Sequence, residues 1–162
     1  MVLIAFILAA VLIIIDQLFK FLISHTVRID GPVSFLGGHV TILYAENRGI
    51  ALGMMQGMRW LFIILTGAII VGMIFYLIKN RPKSKLLLLS CALILGGGIG
   101  NLIDRVLLGY VVDYIQLSFF SPICNFADYC VTSGTVLLVI YVLFFSGFID
   151  KNDKIKLSKA DE

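Results

Sequence analysis

Four aspartates stand where aspartates are costly. Asp16 interrupts one apolar run, Asp104 ends another and Asp128 opens a third, while Asp113 lies in the short segment between the last two. Three asparagines accompany them: Asn101 just before Asp104, Asn125 just before Asp128, and Asn47 in the longest polar connection. Two carboxylates held close together do not both ionise readily, so one pKa rises and the pair can share a proton. One member then acts as base toward a water while the other donates to a carbonyl oxygen, which is acid–base hydrolysis of the aspartic-peptidase kind. Little else in the chain suggests catalysis. His25 and His39 stand near no clear Ser or Cys partner, so a Ser–His or Cys–His hydrolase is poorly supported. Cys91, Cys124 and Cys130 have no neighbouring histidine and none of the spacing of a metal site.

The elements that must position these residues are set by hydropathy. Of the 162 residues, 60% are hydrophobic and 14% charged, where a soluble domain carries about 25% charge. The mean hydropathy is +1.03. Four runs reach the roughly 20 apolar residues a spanning helix needs: Val2 to Ile23, broken only at Asp16, Gln17 and Lys20; Trp60 to Ile78; Leu86 to Ile103; and Tyr129 to Ile149. The expected architecture is membrane α, a four-transmembrane-helix bundle with a small extracytoplasmic β-sheet. Residues 1–162 form one membrane domain, with helices over 2–24, 59–79, 86–104 and 126–149, an outer loop over 25–58 and a tail over 150–162. No Lys or Arg precedes Lys20, so the first run reads as a retained helix and not as a cleaved leader, which has a basic start.

Lys and Arg in the short loops set orientation. Lys79, Arg81, Lys83 and Lys85 crowd one loop, and Lys151, Lys154, Lys156 and Lys159 fill the tail. The opposite face holds five: Lys20, Arg28, Arg48, Arg59 and Arg105. Both termini are therefore expected in the cytoplasm. The net charge of +3 reflects this bias and not nucleic-acid binding.

Within the outer loop, Gly31-Pro32 and Gly37-Gly38 are turn signals, and Val40 to Ala45 alternates as a half-buried strand does. Tyr110 to Leu117 is a second strand candidate, and Gly49 to Met58 a candidate interfacial helix. Gly96 to Gly100 falls inside an apolar run, where glycines let helices approach closely. Cys124 and Cys130 lie near the outer face, which permits a disulfide.

On this topology the first helix reaches Asp16 after roughly 21 Å, past mid-membrane. The four aspartates and three asparagines then converge at the outer edge of the bilayer. Any one of them reads as a helix cap, except Asp16, because an acid inside a span costs about 2.5–3.5 kcal/mol. Two rival readings are an ion-coupled transporter, which needs acids spread through the bilayer depth, and a non-catalytic assembly subunit, which has no need of clustered acids and amides. No acid falls in the inner half of any span.

These residues resemble the bacterial lipoprotein signal peptidases, the signal peptidase II type. The resemblance runs through Asp16-Gln17-Leu18-Phe19-Lys20, Asn47-Arg48-Gly49-Ile50-Ala51-Leu52-Gly53, Gly100-Asn101-Leu102-Ile103-Asp104-Arg105 with Gly109-Tyr110-Val111-Val112-Asp113, and Asn125-Phe126-Ala127-Asp128. Phe19, Leu52 and Cys124 depart from the family's usual residues. The resemblance implies Asp113 and Asp128 as the catalytic pair, with Asp16, Lys20, Asn47, Gly49, Asn101, Asp104, Arg105, Asn125 and Ala127 in support. Arg105 is expected to neutralise Asp16 or Asp104, and Asp16 to pair with Arg105 or bond near Asn47. The resemblance further implies diacylglyceryl-prolipoprotein substrates, membrane lipids around the chain, inhibition by the cyclic peptide globomycin, no metal or cofactor, and a monomer in the bacterial cytoplasmic membrane with its site at the extracytoplasmic face.

Overall fold

A computed structural model describes residues 1–49 and 57–145. The elements in chain order are α1 (Val2–His25), a helical turn α2 (Val27–Asp30), β1 (Val33–Phe35), β2 (Val40–Asn47), α3 (Arg59–Asn80), α4 (Lys85–Leu107), β3 (Val111–Leu117), β4 (Phe120–Cys124) and α5 (Phe126–Phe144). Among the described residues four helices are long and apolar enough to cross a membrane, as the hydropathy predicts. Residues 50–56 of the candidate interfacial helix, which include Ile50 to Gly53 of the second motif, the end of the fourth run and the 150–162 tail lie outside the described residues.

The helices begin and end where local chemistry dictates. Ser84 caps α4 by accepting the Leu87 N–H. α3 closes on Arg81 in a left-handed conformation just before Pro82, and proline cannot continue a helix. α5 starts with a capping box: Asn125 Oδ1 accepts the Asp128 N–H at 2.9 Å, and Asp128 Oδ2 accepts the Asn125 N–H at 3.1 Å.

α4 is the central helix. More than half of its spanning window is buried, against 11–17% for the others, whose apolar side chains face outward. The expected close approach at the glycines occurs. A Cβ on Gly96 would meet Leu12 of α1 at 2.8 Å, and one on Gly97 would overlap the Ala127 carbonyl oxygen of α5. Around this seam Ala5, Ala9, Leu77, Cys91, Ala92 and Leu95 form the apolar core. All three cysteines are free thiols.

The sheet is antiparallel, in the order β1-β2-β3-β4. The sequence reading marked β2 and β3. β4 was missed because it is five residues long and contains Pro122, which cannot donate to a ladder and is tolerated at an edge. The expected alternation of β2 is also absent, since seven of its eight residues are half-buried. The strand also carries a bulge: Ile42 pairs with Ile115, but Ala45 pairs with Asp113. One extra residue on β2 reverses which of its side chains share a face with β3. Ala45, and Asn47 two residues on, thereby share the face of Asp113.

Candidate active site

Asp113 is carried by the middle of β3 and is only 3% exposed. Its two oxygens accept two side-chain amides. Asn47 Nδ2 donates to Oδ2 at 2.8 Å and Asn125 Nδ2 donates to Oδ1 at 2.6 Å. Asn47 is itself fixed, because its Oδ1 accepts the Gly49 N–H at 3.0 Å. Burial pushes the Asp113 carboxyl up to about 6, helped by the nearby Asp128 charge and opposed by the two amides.

Asp128 lies in the first turn of α5, half-buried. Asn101 Nδ2 of α4 donates to its Oδ1 at 2.8 Å. Asn125 Nδ2 also donates to Asn101 Oδ1 at 3.2 Å. Asn125 therefore bonds Asp113 through its amide, Asp128 through the helix cap, and Asn101 between them. It is fully buried, so Asp113 cannot shift without breaking a buried hydrogen bond.

A second cluster lies beside the first. Lys20 Nζ stands 2.9 Å from Asp16 Oδ2, 3.0 Å from Asp104 Oδ2 and 2.9 Å from Asn101 Oδ1. Asp16 Oδ1 accepts the Ala127 N–H at 3.1 Å, which ties α1 to the start of α5. Asp104 Oδ2 accepts the Val112 N–H at 3.0 Å, which holds the residue before Asp113. Gln17 Nε2 donates to Asp104 Oδ1 at 3.0 Å and to the Gly100 carbonyl at 3.2 Å. Among the described residues every buried side-chain polar atom has a partner.

The expected partner of Asp16 and Asp104 is corrected here. Lys20, not Arg105, neutralises both. The signal was the i,i+4 spacing of Asp16 and Lys20, which stacks the two on one helix face. Asp16 likewise meets Ala127 and not Asn47. Arg105 instead rests over the Phe62 ring at 5.3 Å, with one 3.4 Å bond to the Asn101 carbonyl. It borders a cavity of about 470 Å³ between α3, α4 and α5, with Asn101 and Asp128 in one wall and Ile70, Met73 and Leu138 further along.

Two supporting residues escaped the sequence reading. Gln17 sits inside the first motif but carries no charge to attract notice. Tyr114 follows Asp113, and its hydroxyl oxygen accepts the Phe126 N–H at 3.2 Å, joining the strand of one acid to the helix of the other. His39 does meet a serine, Ser118 Oγ at 3.1 Å. That pair is exposed on the hairpin, and no carboxylate among the described residues bonds its imidazole.

This arrangement can hold two carboxylates on one asparagine scaffold, with Asp128 in the wall of an apolar cavity, the amides positioning both acids and Lys20 balancing two further ones. A family model described as signal peptidase (SPase) II matches residues 8–144. A lipoprotein signal peptidase of Streptococcus thermophilus is 42% identical over 127 residues, covering 78% of this chain and 83% of that one. One from Geobacillus thermodenitrificans is 37% identical over 144 residues, covering 87% and 90%. A bacterial membrane enzyme solved by the in meso method at 2.3 Å superposes with a TM-score of 0.79 at 32% identity, covering 86% and 87%.

Proposed function

Because the chain belongs to the signal peptidase II family, we propose that it is an aspartic endopeptidase that removes the signal peptide from diacylglyceryl-modified prolipoproteins, cutting just before the lipidated cysteine. The observation that carries the aspartic mechanism is the shared scaffold of Asp113 and Asp128, each carboxylate bonded by an asparagine and both bonded by Asn125.

In the proposed reaction a water stands between the two carboxyls and the scissile carbonyl. Asp128 takes a proton from the water as its oxygen attacks the carbonyl carbon. Asp113, with its carboxyl raised to about 6 by burial and by Asp128, donates its proton to the carbonyl oxygen. The tetrahedral intermediate collapses as Asp128 passes its proton to the leaving amide nitrogen and Asp113 recovers one from a hydroxyl. The pair works and titrates as a unit. Asn47, Asn101 and Asn125 orient the acids, and the Arg105 guanidinium, free of any ion pair among the described residues, faces the substrate backbone. The signal peptide lies in the cavity between α3, α4 and α5, whose apolar length suits its hydrocarbon side chains.

The proposed topology puts both termini in the cytoplasm and the sheet on the extracytoplasmic side of the bacterial cytoplasmic membrane, where a lipid-anchored precursor presents its cleavage site. It is supported by the eight Lys and Arg of the 79–85 loop and tail against five elsewhere. The test of substrate is direct. Purified protein is offered one precursor with and without its diacylglyceryl group, and the product is identified by mass. Release of a fragment beginning at the lipidated cysteine supports the reading. Equal cleavage of the unmodified precursor, or a cut elsewhere, refutes it.

A further inference from the structure

At the end of the bundle opposite the aspartates, α1 and α3 part to leave a groove of about 650 Å³. Met1, Phe6 and Leu77 line its apolar wall, and Arg81, Pro82 and Lys83 its rim. A second groove of about 400 Å³ lies between α1 and α4, with Lys85 at its margin. Met1 borders both, so only the first turns of α1 separate two apolar slots that open side by side.

The rim is unusual in backbone and in charge. Arg81 has φ 45° and ψ 54°, and it and Leu36 are the two non-glycine residues with positive φ among those described. Side chains with a Cβ seldom take that conformation, and here it ends α3 so that the next residues turn along the groove. Lys79 to Lys85 holds four cations and no acid. All four are exposed. Every ion pair among the described residues involves Lys20, Arg28 or Arg48, in the half of the molecule that carries the aspartates and the sheet. The general Lys/Arg bias of loops accounts for cations near a membrane boundary. It does not account for two hydrocarbon-lined slots directly beneath them.

We propose that this end of the bundle is a binding site for an anionic phospholipid. One acyl chain occupies each groove beside the start of α1, and the phosphate lies against Arg81, Lys83 and Lys85. Basic pockets between spanning helices suit anionic head groups, and a guanidinium matches two phosphate oxygens at once. A zwitterionic lipid offers the same chains, but its own cation competes with the rim. The site is independent of the peptidase reading and requires only that the helices cross a bilayer.

The test uses the full chain purified in mild detergent and titrated with phosphatidylglycerol, phosphatidylcholine or glycerol phosphate. Bound lipid is read by native mass spectrometry and melting is followed on the same samples. Phosphatidylglycerol should be retained at least tenfold more than phosphatidylcholine and raise the melting temperature, while glycerol phosphate, lacking chains, should do neither. Arg81→Asn with Lys83→Gln keeps a residue tolerant of the left-handed turn and removes two charges. It should lower phosphatidylglycerol retention about tenfold and leave precursor cleavage in detergent unchanged. Lys83→Gln with Lys85→Gln leaves the end of α3 untouched and should act in the same direction. Leu3→Trp, which fills the wider groove from its wall, should lower retention with the charges intact. Equal retention of the two lipids, undiminished retention in both charge variants, or indifference to Leu3→Trp would overturn the site.

Discussion

Asn125 Nδ2 lies 2.6 Å from Asp113 Oδ1, and the same side chain caps the helix that carries Asp128. The two jobs can be separated. Ser caps a helix about as well as Asn does, whereas Ala costs about 0.5–2 kcal/mol. Asn125→Ser keeps a capping oxygen but withdraws the amide from Asp113, so it should melt above Asn125→Ala and lose roughly 100-fold in kcat, the scale of one positioned donor. Asn125→Ala should lose in both. Melting and single-turnover cleavage on one sample set check the pattern.

Lys20 is the counter-charge of two buried carboxylates. Removing one partner of a buried pair costs about 3–5 kcal/mol. Lys20→Met should be destabilised on that scale. Asp16→Asn keeps the shape of the side chain and leaves Lys20 with Asp104, so it should lower the melting temperature more clearly than the turnover of the folded fraction. Complete loss of cleavage at unchanged melting would make Asp16 part of the chemistry.

Gly100 and Gly98 make an internal comparison within α4. A Cβ at Gly100 would lie 2.5 Å from Asp16 Oδ2, whereas one at Gly98 meets nothing nearer than 3.7 Å. Gly98→Ala should be neutral or slightly stabilising, since Ala in a helix interior is favoured over Gly by roughly 0.5–1 kcal/mol. Gly100→Ala should displace Asp16 and lower both melting and cleavage.

The raised carboxyl of Asp113 sets a pH dependence. Its ordinary value of 3.8 becomes about 6 in the folded chain, so the stability it contributes is full below about pH 4 and is lost as pH rises through 6. Asp113→Asn cannot ionise, so its melting temperature should gain on the parent's between pH 4 and 6, and the difference should level off above. If Asp113 must be protonated to act, kcat/KM should fall as pH rises through the same region. Asn47→Ala removes a bond that favours the charged form and should move that limb to higher pH.

The four helices were legible because a bilayer demands about 20 apolar residues per span, and no shorter pattern competes. The grouping of the aspartates and asparagines was legible as a shared level along the helix axes. Rotation about those axes is not legible, so the sequence offers Arg105 as the cation beside Asp16 although Lys20 stands one helical turn away. The short strands were only partly legible. A single extra residue between Ile42 and Ala45 reverses the facing of β2, and it is this reversal that brings Asn47 to Asp113. Nothing in the local residue types marks the bulge.

The central claim is that Asp113 and Asp128 act together on the scissile bond. The most direct test is cleavage of a diacylglyceryl precursor by Asp113→Asn, Asp128→Asn and the double variant, with melting recorded on the same samples and Asp104→Asn as control. Each single variant should fold and show no cleavage, the double variant should be no worse than either, and Asp104→Asn should keep measurable turnover. Robust cleavage by a folded Asp113→Asn or Asp128→Asn protein would contradict the aspartic mechanism.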